Sequence, residues 1–218
     1  MKNLKPFTSF FVFLYLLFVL MHALEALWNG TIFTYMDDPL GLAQMRFFYS
    51  PMEVVIKIRF WLNLAAYVPL CFFLAYWNQL VKTHRFGKSY HLLIVLLAFL
   101  PIANYELLYI IWRDLNKTLY KQAGKRSGSS DLLIVFIWIL SILLLVIPLL
   151  VPYFTTYSNN QVSITTVARY SILVTVVHSV CRLLSSLLFL FYFLGLKQAI
   201  KELPDPERKI GEHELLDE

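Results

Sequence analysis

The chain has little of what most soluble or catalytic proteins are built from. Of its 218 residues only two are cysteine and seven glycine, and 15% are charged. Cys71 and Cys181 each fall inside an apolar run, which argues against a disulfide framework or a metal pair and for two small buried side chains. Glycine is too sparse for a phosphate-cradling loop. No Gly-x-x-x-Gly lies inside an apolar run, so helix dimerisation of that kind is not indicated. A nucleophile elbow and a His-Glu-x-x-His zinc motif are both missing. His22, His84, His91, His178 and His213 show no ligand spacing with one another, so neither a metal nor a cofactor is expected, and an enzyme is not the leading reading. The cationic surplus is modest, 19 Lys and Arg against 14 Asp and Glu for a net charge of +5. These cations sit between apolar runs, where membrane topology accounts for them. They are not interleaved with aromatics as in a single-strand groove, so nucleic acid is not an expected partner.

What is present in abundance is apolar surface. Hydrophobic residues make up 59% of the chain, and mean hydropathy is +0.63. Soluble domains carry roughly a quarter of their residues as charges. The composition is that of an integral membrane protein in contact with the lipid bilayer: one polytopic membrane domain over residues 1–198 and a polar tail over 199–218. The tail ends acidic, with Glu212, Glu214, Asp217 and Glu218.

Lys2 and Lys5 precede an apolar run from Phe7 that continues to about Trp28. A signal peptide would be shorter and would end in a small-x-small cleavage site, which Ala23-Leu24-Glu25-Ala26 does not offer. The run reads as a retained first span, 7–28, with a cytoplasmic N-terminus. Asn29 to Ser50 then forms an outer loop. Its Asn29-Gly30-Thr31 fits the glycosylation pattern but lies close to the membrane, and Leu42 to Tyr49 suits a short interfacial helix. Ser50-Pro51-Met52-Glu53 is a strong helix start for a second span, 51–81. Near its outer end Lys57 and Arg59 are expected to snorkel outward, with Asn63 and Pro69 deeper.

The stretch His91 to Trp112 resembles a span until Pro101, Asn104 and Glu106 interrupt it. Both flanks are basic: Lys82, Arg85 and Lys88 before, Arg113, Lys117, Lys121, Lys125 and Arg126 after. Lys/Arg-rich short loops stay in the cytoplasm, so both ends belong on that side. The expectation is a re-entrant helix over 91–112, hinged at Pro101. An ordinary proline-kinked fifth span is the alternative. It would put the basic loop outside and the Lys- and Arg-free Tyr153–Val167 loop inside. Two further spans, 131–152 and 167–196, return the C-terminus to the cytoplasm. The fold class expected is all-α integral membrane, four transmembrane helices plus one re-entrant (or proline-kinked fifth) segment. The basic loop from Lys117 to Arg126 is placed to meet anionic lipid headgroups.

Polar residues inside spans are expensive and carry the functional signal. His178, Arg182 and Ser185 share one face of the last span. Arg182 lies about 20 Å along that helix, too deep to snorkel. Glu106 is the expected partner, with Asn104 and His178 beside it. His22 and Glu25 form a secondary pair on the first span, either hydrated near the headgroups or facing a cavity, and Asn63 is a further candidate. Such a cluster serves either to join helices or to line a pocket for an ion, proton or small solute. The leading expectation is ion or small-solute handling, alone or as a subunit. A non-catalytic scaffold or assembly protein comes second and a membrane-embedded enzyme third.

Phe99-Leu100-Pro101-Ile102-Ala103-Asn104, followed by an aromatic-rich helix to Trp112, resembles the mid-chain motif of a bacterial family of small polytopic membrane proteins of unknown function. Tyr76-Trp77-Asn78-Gln79-Leu80 is similar to the end of that family's second hydrophobic helix, and the likeness spans about Trp61 to Tyr120. Tyr105-Glu106-Leu107 stands where that family has a tryptophan and a basic residue nearby. The resemblance implies a bacterial inner membrane and supplies no activity.

Overall fold

A computed structural model describes residues 4–38, 40, 41, 43, 49–62, 69, 70, 72, 73, 101–157 and 164–203. Of these, 101–108, 110, 111, 151–157, 164 and 165 are described by backbone alone. The regular structure among the described residues is helical: α1 (Lys5–Tyr35), α2 (49–62), α3 (Pro101–Gln122), α4 (Gly128–Tyr157) and α5 (Ile164–Lys201). Three of these helices are long and apolar enough to cross a bilayer: α1, α4 over Gly128–Leu150 and α5 over Thr166–Lys201, with mean hydropathies of 2.2, 3.2 and 1.9. Membrane spans need about 20 apolar residues because the hydrocarbon core is ~30 Å thick. Helix length and composition here are those of a helical membrane protein.

Helix α1 shows how these elements are placed. Thr8, Phe11, Leu14, Phe18, Met21, His22 and Glu25 are buried, and their spacings of three or four residues, with Met21 beside His22, mark one face. Phe10, Phe13, Leu16, Leu20, Leu24 and Leu27 are exposed on the other, where lipid would meet them. The buried face zips antiparallel against α5. Phe11 stacks on Phe193 at 4.8 Å and Tyr15 on Phe189 at 4.6 Å. Further along, His22 meets Ser186, Asn29 meets Ser179 and Asp37 meets Arg169. As residue numbers rise on α1 they fall by nearly the same amount on α5, which is the register of two helices in contact from end to end. Arg59 on α2 pairs with Glu25, and Phe73 packs on Phe11 at 5.4 Å, so this part of the chain also runs antiparallel to α1.

Helices α3 and α4 form a hairpin. Gly124 has φ of +68°, Lys125 N donates to Tyr120 O at 2.9 Å and Gly124 N to Lys121 O at 3.2 Å. This is a Schellman ending, in which a left-handed glycine lets the last carbonyls of α3 find donors. Ser127 then opens α4: its carbonyl accepts from Asp131 N and its hydroxyl donates to Asp131 Oδ2, both at 2.8 Å. The hairpin is locked by Asn116, fully buried, which donates to Asp131 Oδ1 at 2.8 Å and accepts from Ser130 Oγ at 2.9 Å and Tyr192 Oη at 3.2 Å. Trp112 Nε1 donates to Tyr192 Oη at 2.7 Å, and Tyr109 stacks on Trp138 at 5.2 Å. Helix α3 therefore descends toward the end of the bundle where α1 begins and α5 ends. The exposed cations Lys5, Arg113, Lys117, Lys121, Lys125, Arg126 and Lys201 collect there.

Several boundaries differ from expectation. Helix α1 runs on to Tyr35 through residues assigned to an outer loop. The hydroxyls of Thr31 and Thr34 donate back to Leu27 O and Gly30 O at 2.7 and 2.9 Å, and Asn29 is tied to Ser179, so the polar run finds its partners within the bundle. Helix α4 starts at Gly128, three residues before the expected span, and continues past Pro148 and Pro152 to Tyr157. Helix α5 extends to Lys201. Pro101 to Gln122 is one continuous helix, which runs ten residues beyond the expected end at Trp112. Residues 91–100 and most of the stretch 42–49 lie outside the described residues, as does the tail beyond Leu203.

Candidate functional site

The α1–α5 seam has two chemical halves. Toward the basic end it is aromatic: Phe11, Tyr15, Phe18, Phe189, Tyr192 and Phe193, with Trp112 stacked on Phe189 at 5.5 Å. Toward the other end it is polar. His22, Glu25 and Asn29 on α1 face Ser179, Arg182 and Ser186 on α5, each set spaced by three and then four residues and so carried on one helix face.

Glu25 is the centre. It is 7% exposed and accepts from two guanidiniums. Arg59 of α2, 9% exposed, pairs with Oε2. Arg182 Nη1 reaches Oε1 at 3.5 Å, and the Arg182 side chain is 31% exposed. Arg182 is therefore the more loosely held and more accessible of the two cations. Its helix carries it roughly 20 Å from both Arg169 and Lys197, at ~1.5 Å per residue, near the middle of an apolar helix long enough to span a bilayer.

The neighbouring hydroxyls are already committed. Ser186 Oγ donates to Arg182 O at 2.7 Å, and Ser179 Oγ donates to Thr175 O at 2.8 Å. With its one proton spent, Ser186 Oγ must accept from His22 Nδ1, 2.5 Å away, which assigns that ring proton. His22 also stacks on Phe18 at 5.9 Å. Asn29 Nδ2 donates to Ser179 Oγ at 2.6 Å. Two buried polar atoms in the cluster, His22 Nε2 and Arg59 Nε, have no hydrogen-bond partner among the described residues.

Of the residues singled out from sequence, Glu25, His22 and Arg182 come together here. His178 lies one turn from Arg182 on α5. Among the described residues Arg182 makes its ion pair with Glu25. The side chains of Glu106, Asn104 and Asn63 lie outside the described residues, and Pro101 opens α3. One expectation is corrected: Arg59 does not snorkel to the interface but turns inward, because a buried carboxylate one helix away offers more than the headgroups do. Arg59, Asn29, Ser179 and Ser186 went unread as site residues. The usable signal was the matched spacing of 22, 25, 29 and 179, 182, 186 inside two apolar runs. Among the described residues no group of three or more His, Cys, Asp and Glu is arranged to hold a metal ion.

No protein-family model matches the chain, and neither a curated protein nor a solved structure matches it.

Proposed function

We propose that this protein handles a small solute or ion within the membrane, alone or as a subunit of a complex, and that the Glu25–Arg59–Arg182 cluster is where it does so. One observation carries the reading: three charged side chains from three helices converge at membrane depth, and one of them keeps nearly a third of its surface open. Adhesion does not require them. The aromatic half of the seam already joins α1 to α5, and replacing a buried ion pair with apolar side chains is often neutral or stabilising. Ionisable residues at such depth mark solute and ion pathways more often than mere packing.

The reading includes a topology of four spanning helices with 91–112 as a re-entrant segment, and both termini cytoplasmic in a bacterial inner membrane. Two features support it. Helix α3 heads from Pro101 toward the basic end, and α2 with Phe73 runs antiparallel to α1. The exposed cations of 113–126 are positioned for anionic lipid headgroups.

The test is thiol access in a background with Cys71 and Cys181 replaced by serine. His178→Cys, beside Arg182, should react with a small hydrophilic thiol reagent, and the more exposed Val177→Cys should be shielded by lipid. Equal protection at both positions would mean a dry cluster and would favour the scaffold reading.

A further inference from the structure

The cluster is unbalanced in charge. Among the described residues Glu25 is the carboxylate within reach of Arg59 and Arg182, so one negative charge faces two guanidiniums. His22, held by Ser186 and stacked on Phe18, adds no negative charge. The serine hydroxyls donate to backbone carbonyls and do not soften the excess. Arg59 Nε, a donor with no other role, is buried without a partner among the described residues. Arg182 carries five N–H donors, and its hydrogen bond within the cluster is a long one at 3.5 Å.

Unused donors around a surplus positive charge in a low-dielectric setting select an anion. Guanidinium presents its donors as a planar fork that matches the two oxygens of a carboxylate. We infer that the Glu25–Arg59–Arg182 cluster binds a small singly charged carboxylate, seated on Arg182 and completing the charge that Glu25 leaves unmatched. This rests on the solute-handling reading and gives it a substrate class. Glu25 then acts as a resident competitor. Paired with Arg59, it leaves Arg182 as the docking group, and the surplus guanidinium charge repels cations. Removing its charge strengthens the incoming anion's hold, because a tethered rival at high local concentration has gone.

The experiment uses the full chain in detergent and reads thermal unfolding against sodium acetate, with sodium gluconate at equal ionic strength as the bulky control and potassium acetate as the cation control. Acetate should raise the melting temperature saturably with either cation, and gluconate should not. Glu25→Gln should melt lower without acetate yet respond to it at roughly tenfold lower concentration. Arg182→Gln should abolish the response. If that variant does not fold, Arg182→Lys, which keeps the charge and loses the fork, should weaken it. A response to sodium rather than acetate, or an acetate response unchanged in the Arg182 variants, overturns the inference. So does a silent parent chain whose Glu106→Gln variant responds, since Glu106 would then be the second counter-charge. In each of these cases His178→Cys still reacting from water leaves solute handling standing. Loss of both the thiol reaction and the acetate response would remove the two together.

Discussion

Glu25 shows what a single side chain does at this depth. A carboxylate among lipids is costly alone, and here two guanidiniums from different helices make it tolerable. Removing one member of a buried pair leaves the other uncompensated, at about 3–5 kcal/mol. Glu25→Ala should therefore lower stability by that order, measured by thermal unfolding of purified protein. Glu25→Leu combined with Arg59→Met should recover most of the loss, because both buried charges go together and Arg182 retains partial exposure. That recovery would establish Glu25–Arg59 as a coupled pair. His22, Glu25 and Arg182 were readable as polar positions inside apolar runs. Their pairing was not, because the partner of a membrane charge is chosen by helix register, and register is a property of two helices at once.

At the scale of elements, the hairpin of α3 and α4 is set by local chemistry. Gly124 sits at φ +68° with nothing within 4 Å of where a Cβ would stand, so a substitution there meets a backbone cost and no clash. A left-handed conformation costs a residue with a Cβ roughly 1–2 kcal/mol. Gly124→Ala should destabilise by about 1 kcal/mol, and Gly124→Asn by less, since asparagine tolerates this region better. Thermal unfolding of the two variants side by side checks the order. The run Gly124 to Ser130 announced a break, but where α4 starts depended on Asp131, whose carboxylate Ser127 and Asn116 both hold. The polar end of α1 was read as a loop for a similar reason. Asn29, Gly30, Thr31 and Thr34 look like turn residues until Ser179 and the carbonyls one turn back are there to receive them.

For the whole molecule, packing of α1 and α4 antiparallel to α5 places the start of α1, the α3–α4 turn and the end of α5 together, with exposed cations around them. The opposite end carries the exposed Asp37–Arg169 pair. Positive loops remain cytoplasmic, so a cysteine placed at Ser129 should be protected from an impermeant thiol reagent in intact cells, and one at Asp38 should react. Labelling at Ser129 from outside would reverse the orientation. The sequence alone determined the solvent: apolar runs of membrane length, basic loops at one end and sparse charge admit a bilayer and little else, because desolvation is a residue-by-residue quantity. The tertiary structure alone decided which charges meet. Arg59 turned inward and Arg182 chose Glu25 because three helices brought those groups to one depth, a fact of packing that no single run of residues contains.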